Sequence, residues 1–161
     1  MCTGQFNIIV MTQSENRDKK NTDPLYTLAV VSRLSNTPTH SIRQYIDKGL
    51  ILPFKTKSKR HLFSDVDILR LKCIRKHLDE QGLNIAGINA LFSLVPCWLL
   101  KPCSVQDRQN CDAYVDVTKP CWQASNKGPE CKKSDCRLCP VYQLPEKCVS
   151  LKDFIKKITN S

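Results

Sequence analysis

The chain has 161 residues, room for one domain or two small ones, and its 25 Lys and Arg against 15 Asp and Glu leave a formal charge of +10. That balance favours a polyanionic partner, nucleic acid or an acidic lipid surface, while apolar runs such as 91–95 are far too short to span a bilayer. Only five glycines are available for phosphate-cradling loops and no Ser/His/Asp constellation stands out, so an enzyme is not expected.

Residues 1–23 are mostly polar and read as a flexible arm; the short run 7–11 lacks a charged leader and a cleavage site, so it is not a signal peptide. From Tyr26 to Leu34 one apolar face recurs at helical spacing. Ser35-Asn36-Thr37-Pro38 interrupts it, and His40 to Ile46 restarts the same period. Gly49 ends this second helix, and Lys55, Lys57, Lys59, Arg60 and His61 crowd a short loop before Leu62-Phe63. The segment therefore reads as a helix-turn-helix followed by a basic hairpin, one helix for the major groove and a wing for the backbone. Ser64 caps a third helix whose first turn carries Asp65 and Asp67, with apolar positions Ile68, Leu69, Leu71, Ile74 and Leu78 and a stop at Gly82. A fourth helix runs from Asn84 to Val95, and Pro96 marks its end. Residues 24–95 form the predicted DNA reader. Residues 21–95 carry eleven Lys and Arg against six acidic residues, whereas 96–148 carry eight against six, so positive charge concentrates in the reader.

Helical periodicity vanishes after Cys97, and residues 96–148 hold too few large apolar side chains for an ordinary core. Within them Cys97-Trp98, Cys103 and Cys111-Asp112-Ala113-Tyr114 are echoed by Cys121-Trp122, Cys131 and Cys139-Pro140-Val141-Tyr142, with seven residues before the last Cys in each half. Cys136 is an addition, and Cys136-Arg137-Leu138-Cys139 has the spacing that lets two thiolates grip one ion. Eight of the ten cysteines follow residue 96. A DNA reader without an export signal works in the reducing cytoplasm, where thiolate–metal chemistry is the expectation rather than disulfides. Cys97, Cys103, Cys111, Cys121, Cys131, Cys136 and Cys139 are the candidate ligands, for zinc or an iron–sulfur cluster. No familiar iron–sulfur spacing and no complete zinc ribbon decides between the two metals. Trp98 and Trp122 either shield the site or supply the module's large core residues, Cys2 lies in the arm, and Cys73 reads as a small buried hydrophobe. Ser150 caps a short amphipathic helix in the last segment, 149–161, whose stripe Leu151, Phe154, Ile155 and Ile158 must pack on its own chain or across a dyad.

Over roughly residues 25–95 the sequence resembles the MerR family of transcriptional regulators, through Tyr26-Thr27-Leu28, Arg43-Gln44-Tyr45, Lys48-Gly49-Leu50-Ile51 and Leu62-Phe63-Ser64. Gly82-Leu83-Asn84-Ile85-Ala86-Gly87-Ile88 resembles the opening of the next helix in the heat-shock-repressor branch. The resemblance implies a winged helix-turn-helix that binds double-stranded promoter or operator DNA as a homodimer, with RNA polymerase a further candidate partner. The family's long coiled-coil helix has no counterpart here, because Pro96 and the cysteines follow the fourth helix at once. The cysteine block resembles a small bacterial module with paired Cys-Trp elements found attached to regulators.

The DNA-binding candidates are Thr39, His40 and Ser41 at the helix start, where free N–H groups meet phosphate, and Arg43, whose planar fork suits phosphate or guanine edges. Tyr45 offers a hydroxyl to phosphate or packs on the wing, and Lys55, Lys57, Lys59, Arg60 and His61 supply salt-dependent backbone affinity. His40 and His61 stand where the resembled family usually carries Arg, and Pro38 lies one place early, which starts the helix at Pro38 with Thr37 as cap. The fold class is mainly α: a winged helix-turn-helix, a small irregular, metal-stabilised cysteine-rich module and a short C-terminal helix. The expected function is sequence-specific transcription regulation, with the cysteine module sensing metal or redox state or stapling the chain. A thiol redox or electron-transfer protein using Cys136 and Cys139, and an architectural or excisionase-like DNA binder, are the alternatives.

Overall fold

A computed structural model describes residues 21–144 and 150–159, apart from the side chains of Lys157 and Ile158. Most of the predicted arm, Cys2, Cys148 and the Ile158 end of the last stripe lie outside the described residues. The chain enters through β1 (Tyr26–Thr27), α1 (Leu28–Ser35) and α2 (Thr39–Asp47), then forms the wing from β2 (Phe54–Lys55) and β3 (His61–Phe63). Next come α3 (Asp65–Asp79) and α4 (Ile85–Ser93). The antiparallel sheet has the order β1-β3-β2, pairing Tyr26 with Phe63 and Phe54 with Leu62. Tyr26 and Thr27 are therefore a strand and not the first turn of a helix. Pairing with β3 satisfies backbone groups that a helix start would leave open, and the Tyr26 hydroxyl donates to Asp65 at 2.9 Å.

Local chemistry explains the turns. Asn36 takes a left-handed φ of 50° after α1, and its N–H and that of Thr37 reach back to the carbonyls of Arg33 and Ser32. Thr37 does not cap α2: its hydroxyl donates to the Ser35 carbonyl, and Pro38 stands at the cap without a side-chain bond. Gly49, at φ +69°, turns the chain out of α2 as expected. Ser64 and Asp67 form a reciprocal capping box at the start of α3, an arrangement worth about 1 kcal/mol. On α3, Ile68, Leu71 and Ile74 are buried, whereas Leu69 points outward at 36% exposure. Asn84 caps α4 by accepting from the Gly87 N–H.

The cysteine block folds as two copies of one small unit. The first runs through a 3-10 turn (Cys97–Leu99), α5 (Val105–Gln109) and α6 (Asp112–Val115). The second runs through a 3-10 turn (Cys121–Gln123), α7 (Pro129–Lys132), an added 3-10 turn (Cys136–Leu138) and α8 (Pro140–Gln143). In each copy the Tyr of the last helix meets the Trp of the first turn edge to face. The centroids are 5.1 Å apart for Trp98–Tyr114 and 5.2 Å for Trp122–Tyr142. The copies differ in surroundings: Tyr114 is exposed, while Trp122, Val141 and Tyr142 join the core of the reader together with Val31, Ile42, Leu50, Phe63 and Ile88. The block thus supplements its thin apolar content with the reader's core. Cys73 is completely buried in α3, as a small hydrophobe would be, and is disulfide-bonded, a cross-link its sequence context did not predict. The chain ends in α9 (Leu151–Thr159), where Ser150 accepts from the Asp153 N–H at 3.1 Å.

Candidate nucleic-acid interface and thiol cavity

The first turn of α2 carries Thr39, His40, Ser41 and Arg43, with His40 and Arg43 exposed and the other two half-buried. In the wing Lys55, Lys57, Lys59 and Arg60 are exposed and His61 is half-buried. The hairpin tip is held by Thr56, whose N–H donates to the Arg60 carbonyl at 2.9 Å and whose hydroxyl oxygen accepts from the Arg60 N–H at 3.0 Å. Lys59 adopts φ 61° at that tip. No ion pair among the described residues involves Arg43 or the wing cations. Tyr45 belongs elsewhere. It is 4% exposed and packs in the core, where burial and the Asp79 carboxylate raise its pKa against Arg75 and a Ser41 hydrogen bond.

The second copy of the cysteine unit clasps the junction between α2 and the wing. Trp122 Nε1 donates to the Gly49 carbonyl at 2.8 Å. Gln123 Nε2 reaches the carbonyls of Lys48 and Gly49 and Asn89 Oδ1. The Tyr142 hydroxyl accepts from the Leu52 N–H at 2.8 Å and donates to Asp67 Oδ1 at 3.3 Å. Arg137, between two cysteines, lies 4.8 Å from the Phe54 ring at the base of the wing. Gly49 is tied to this clasp twice, by its positive φ and because a Cβ there would stand 2.7 Å from Gln123 Cδ. A Gly49→Ala chain is expected to lose about 1–2 kcal/mol of stability, measured by urea titration. An unchanged midpoint would mean that the clasp is slack.

Arg70 is the centre of the contact. It is 1% exposed, and its guanidinium lies 4.1 Å from the Tyr142 ring, 4.5 Å from Trp122 and 4.7 Å from Phe92. Nε donates to the Leu50 carbonyl at 2.7 Å and Nη1 to the Tyr142 carbonyl. Burial draws its pKa down, against the pull of Tyr142 and Asp67, yet an arginine starts so high that it keeps its charge. Burial likewise pushes the Asp67 carboxyl above its ordinary range, opposed by Ser64, Arg70 and Tyr142. The sequence held a signal for this pair. Positions 67, 70, 71 and 74 make one inward stripe of α3, so a charged residue at 67 or 70 falls on the core side.

The seven cysteines from Cys97 to Cys139 line one small cavity of about 40 Å³. Trp98, Tyr114, Trp122 and Tyr142 wall it, and Lys101, Arg108 and Lys127 bring positive charge. Lys127 Nζ lies 3.5 Å from Cys136 Sγ, and Arg108 Nε is buried without a hydrogen-bond partner. Burial pushes the Cys97 thiol up to about 11, with neighbouring thiolates adding to the rise; Cys121 and Cys131 are raised for the same reasons. Every pair among Cys97, Cys121, Cys131 and Cys139 interacts in this way, so these four thiols share one space. A raised thiol pKa is the reverse of what a nucleophilic redox cysteine requires. Among the described residues no group of three or more His, Cys, Asp or Glu side chains is arranged to hold a metal ion, so the convergent thiols do not preform a single-ion site.

A helix-turn-helix with a basic β-wing defines a winged helix-turn-helix protein. Residues 26–94 match the family described as MerR HTH family regulatory protein, and this segment is a MerR-family domain. The chain is 38% identical to the HTH-type transcriptional regulator GlnR of Bacillus anthracis over 76 residues, covering 47% of this chain and 58% of that one. The GlnR of Bacillus cereus gives the same figures. A Streptomyces coelicolor protein bearing the name heat shock protein HspR is 31% identical over 71 residues, 44% of this chain and 47% of the relative. The chain thus spans about half the length of these relatives. Among the described residues no helix is long and apolar enough to cross a membrane.

Proposed function

We propose that the protein is a sequence-specific, DNA-binding transcription regulator that works in the cytoplasm as a homodimer. The start of α2 enters the major groove, with Arg43 reading a base edge or phosphate and Thr39, His40 and Ser41 seating the helix, while the wing lies along the backbone. The observation that carries this reading is the run of exposed cations from Arg43 through Arg60 without an ion partner among the described residues, on a MerR-family domain. Relatives named as transcriptional regulators support it. Arg43→Ala is expected to weaken binding to the operator duplex by at least ~1 kcal/mol at fixed salt, measured by fluorescence anisotropy. Unaltered affinity would remove Arg43 from the interface.

In this reading the cysteine block senses metal or redox state. Its second copy touches the carbonyls that end α2, the Leu52 N–H and the wing ring Phe54, so a rearrangement of its thiols alters the angle between recognition helix and wing.

A further inference from the structure

The duplicated cysteine unit uses its docking face only once within the chain. Each copy packs its tyrosine edge to face on its tryptophan, Trp98–Tyr114 in the first and Trp122–Tyr142 in the second. Tyr142 is 1% exposed because its copy sits on the reader, whereas its counterpart Tyr114 is 45% exposed. We propose that this free face joins two copies of the chain: α9 of one chain docks on the first cysteine unit of the other, and the reciprocal contact closes the pair. This surface deepens, and rests on, the homodimer reading above.

Among the described residues eleven large apolar side chains are exposed, and six of them, Leu94, Leu99, Val105, Tyr114, Val115 and Val117, fall within 94–117. Two contacts gather them. The Trp98–Tyr114 ring pair holds α6 against the 3-10 turn that carries Leu99, and the Ser93 hydroxyl donates to the Val117 carbonyl at 2.6 Å, which brings Val117 back beside Leu94. The second contact also fixes the surface to the end of α4, so a chain held there is set relative to the recognition helix, as half-site spacing requires. The complement is α9. It is nine residues long, below the ~12–15 at which an isolated helix holds, so it needs a face to pack on. Its hydrogen bonds and its Lys156–Asp153 pair are internal, and among the described residues none ties it to another element. In its own chain it leaves the 94–117 face open, and its Ile155 stays exposed beside half-buried Leu151 and Phe154. Charge selects the pairing. Asp112 and Asp116 bracket Tyr114 and Val115 and form no ion pair among the described residues, while Lys152 and Lys156 flank the α9 stripe. A basic-rimmed apolar helix fits an acid-rimmed apolar face, whereas face on face or helix on helix would set like charges together.

Sedimentation equilibrium of the full chain should give twice the chain mass, and two single changes should each weaken dimerisation by about tenfold or more. Val115→Lys puts a cation on the face and Ile155→Lys puts one in the helix stripe, both at exposed positions, with circular dichroism checking that each variant folds. Mixing the two variants should restore dimers, because an unlike pair keeps one intact contact, the unchanged helix of the first on the unchanged face of the second. A wild-type monomer would overturn the proposal, as would a dimer indifferent to either change or a mixture no more dimeric than its components. Cross-linking tests the same contact without any substitution. Zero-length carbodiimide coupling of mixed isotope-labelled wild-type chains should join Lys152 or Lys156 of one chain to Asp112 or Asp116 of the other, and interchain links confined to other pairs would overturn the surface. DNA binding measured on the same samples separates the claims. A wild-type dimer unmoved by either change refutes this surface and leaves the homodimer reading, while dimers that complement on mixing but ignore operator duplex refute the regulator reading alone.

Discussion

Replacing Arg70 with alanine is expected to lower the unfolding free energy by about 3–5 kcal/mol, the usual consequence of removing one partner from a buried charged network. The residue has 1% exposure and its guanidinium faces three aromatic rings, two of them, Trp122 and Tyr142, from the cysteine block. Truncation leaves the carbonyls of Leu50 and Tyr142 without their donor and the buried Asp67 without its nearby cation. It also opens a void between α3 and the second copy. Arg70→Lys should recover little, because an ammonium cannot present a planar face to three rings or a fork to two carbonyls. Urea denaturation followed by tryptophan fluorescence reads both effects, since Trp122 lies at the contact. A midpoint within error of wild type for Arg70→Ala would mean that the block is not held through this residue.

Neutralising the wing should have the largest effect on function. Changing Lys55, Lys57, Lys59 and Arg60 together to glutamine removes four exposed positive charges from one hairpin. Each phosphate left without its cation lowers the slope of log affinity against log salt by ~0.9, so the slope should flatten by roughly 3 to 4. With the two affinities converging near ~1 M salt, this corresponds at ~0.1 M to a loss between about a thousandfold and ten-thousandfold. The ratio of affinities for operator and scrambled duplex should change far less, because phosphate contacts position the protein and carry little sequence information. Anisotropy titrations across a salt series measure both quantities. A preserved slope would place the wing away from the backbone, and a collapsed ratio would make it a base reader.

The elements that depend on neighbouring residues were readable in the sequence. Gly49 needs only its own positive φ, and the Ser64–Asp67 capping box spans a single turn. The duplicated Cys-Trp and Cys-x-x-Tyr pattern likewise shows as two copies of one ring pair. What could not be read depends on distant partners. Tyr26 and Thr27 carry a helix-compatible pattern, but their strand identity is set by pairing with Phe63 and Leu62. Tyr45 has a hydroxyl suited to a phosphate, yet its ring lies in the core; the period-3.6 pattern of α2 could have placed it inside, one turn after Ile42. Arg70 was legible in part, through its place on the inward stripe of α3. A cation within an apolar stripe is ambiguous until its aromatic partners, more than fifty residues away for Trp122, are brought to it.

The clasp at Gly49 and Leu52 also determines how the molecule can be dissected. A fragment cut after residue 95 would keep every helix of the reader, yet lose the donors to the Lys48 and Gly49 carbonyls and the acceptor of the Leu52 N–H. Water would take those places and reach the guanidinium that Trp122 and Tyr142 had covered. Such a fragment would present the recognition helix at an angle set by solvent. Its affinity for DNA would therefore describe a different molecule, and the boundary drawn from the family match is not a boundary of mechanical independence.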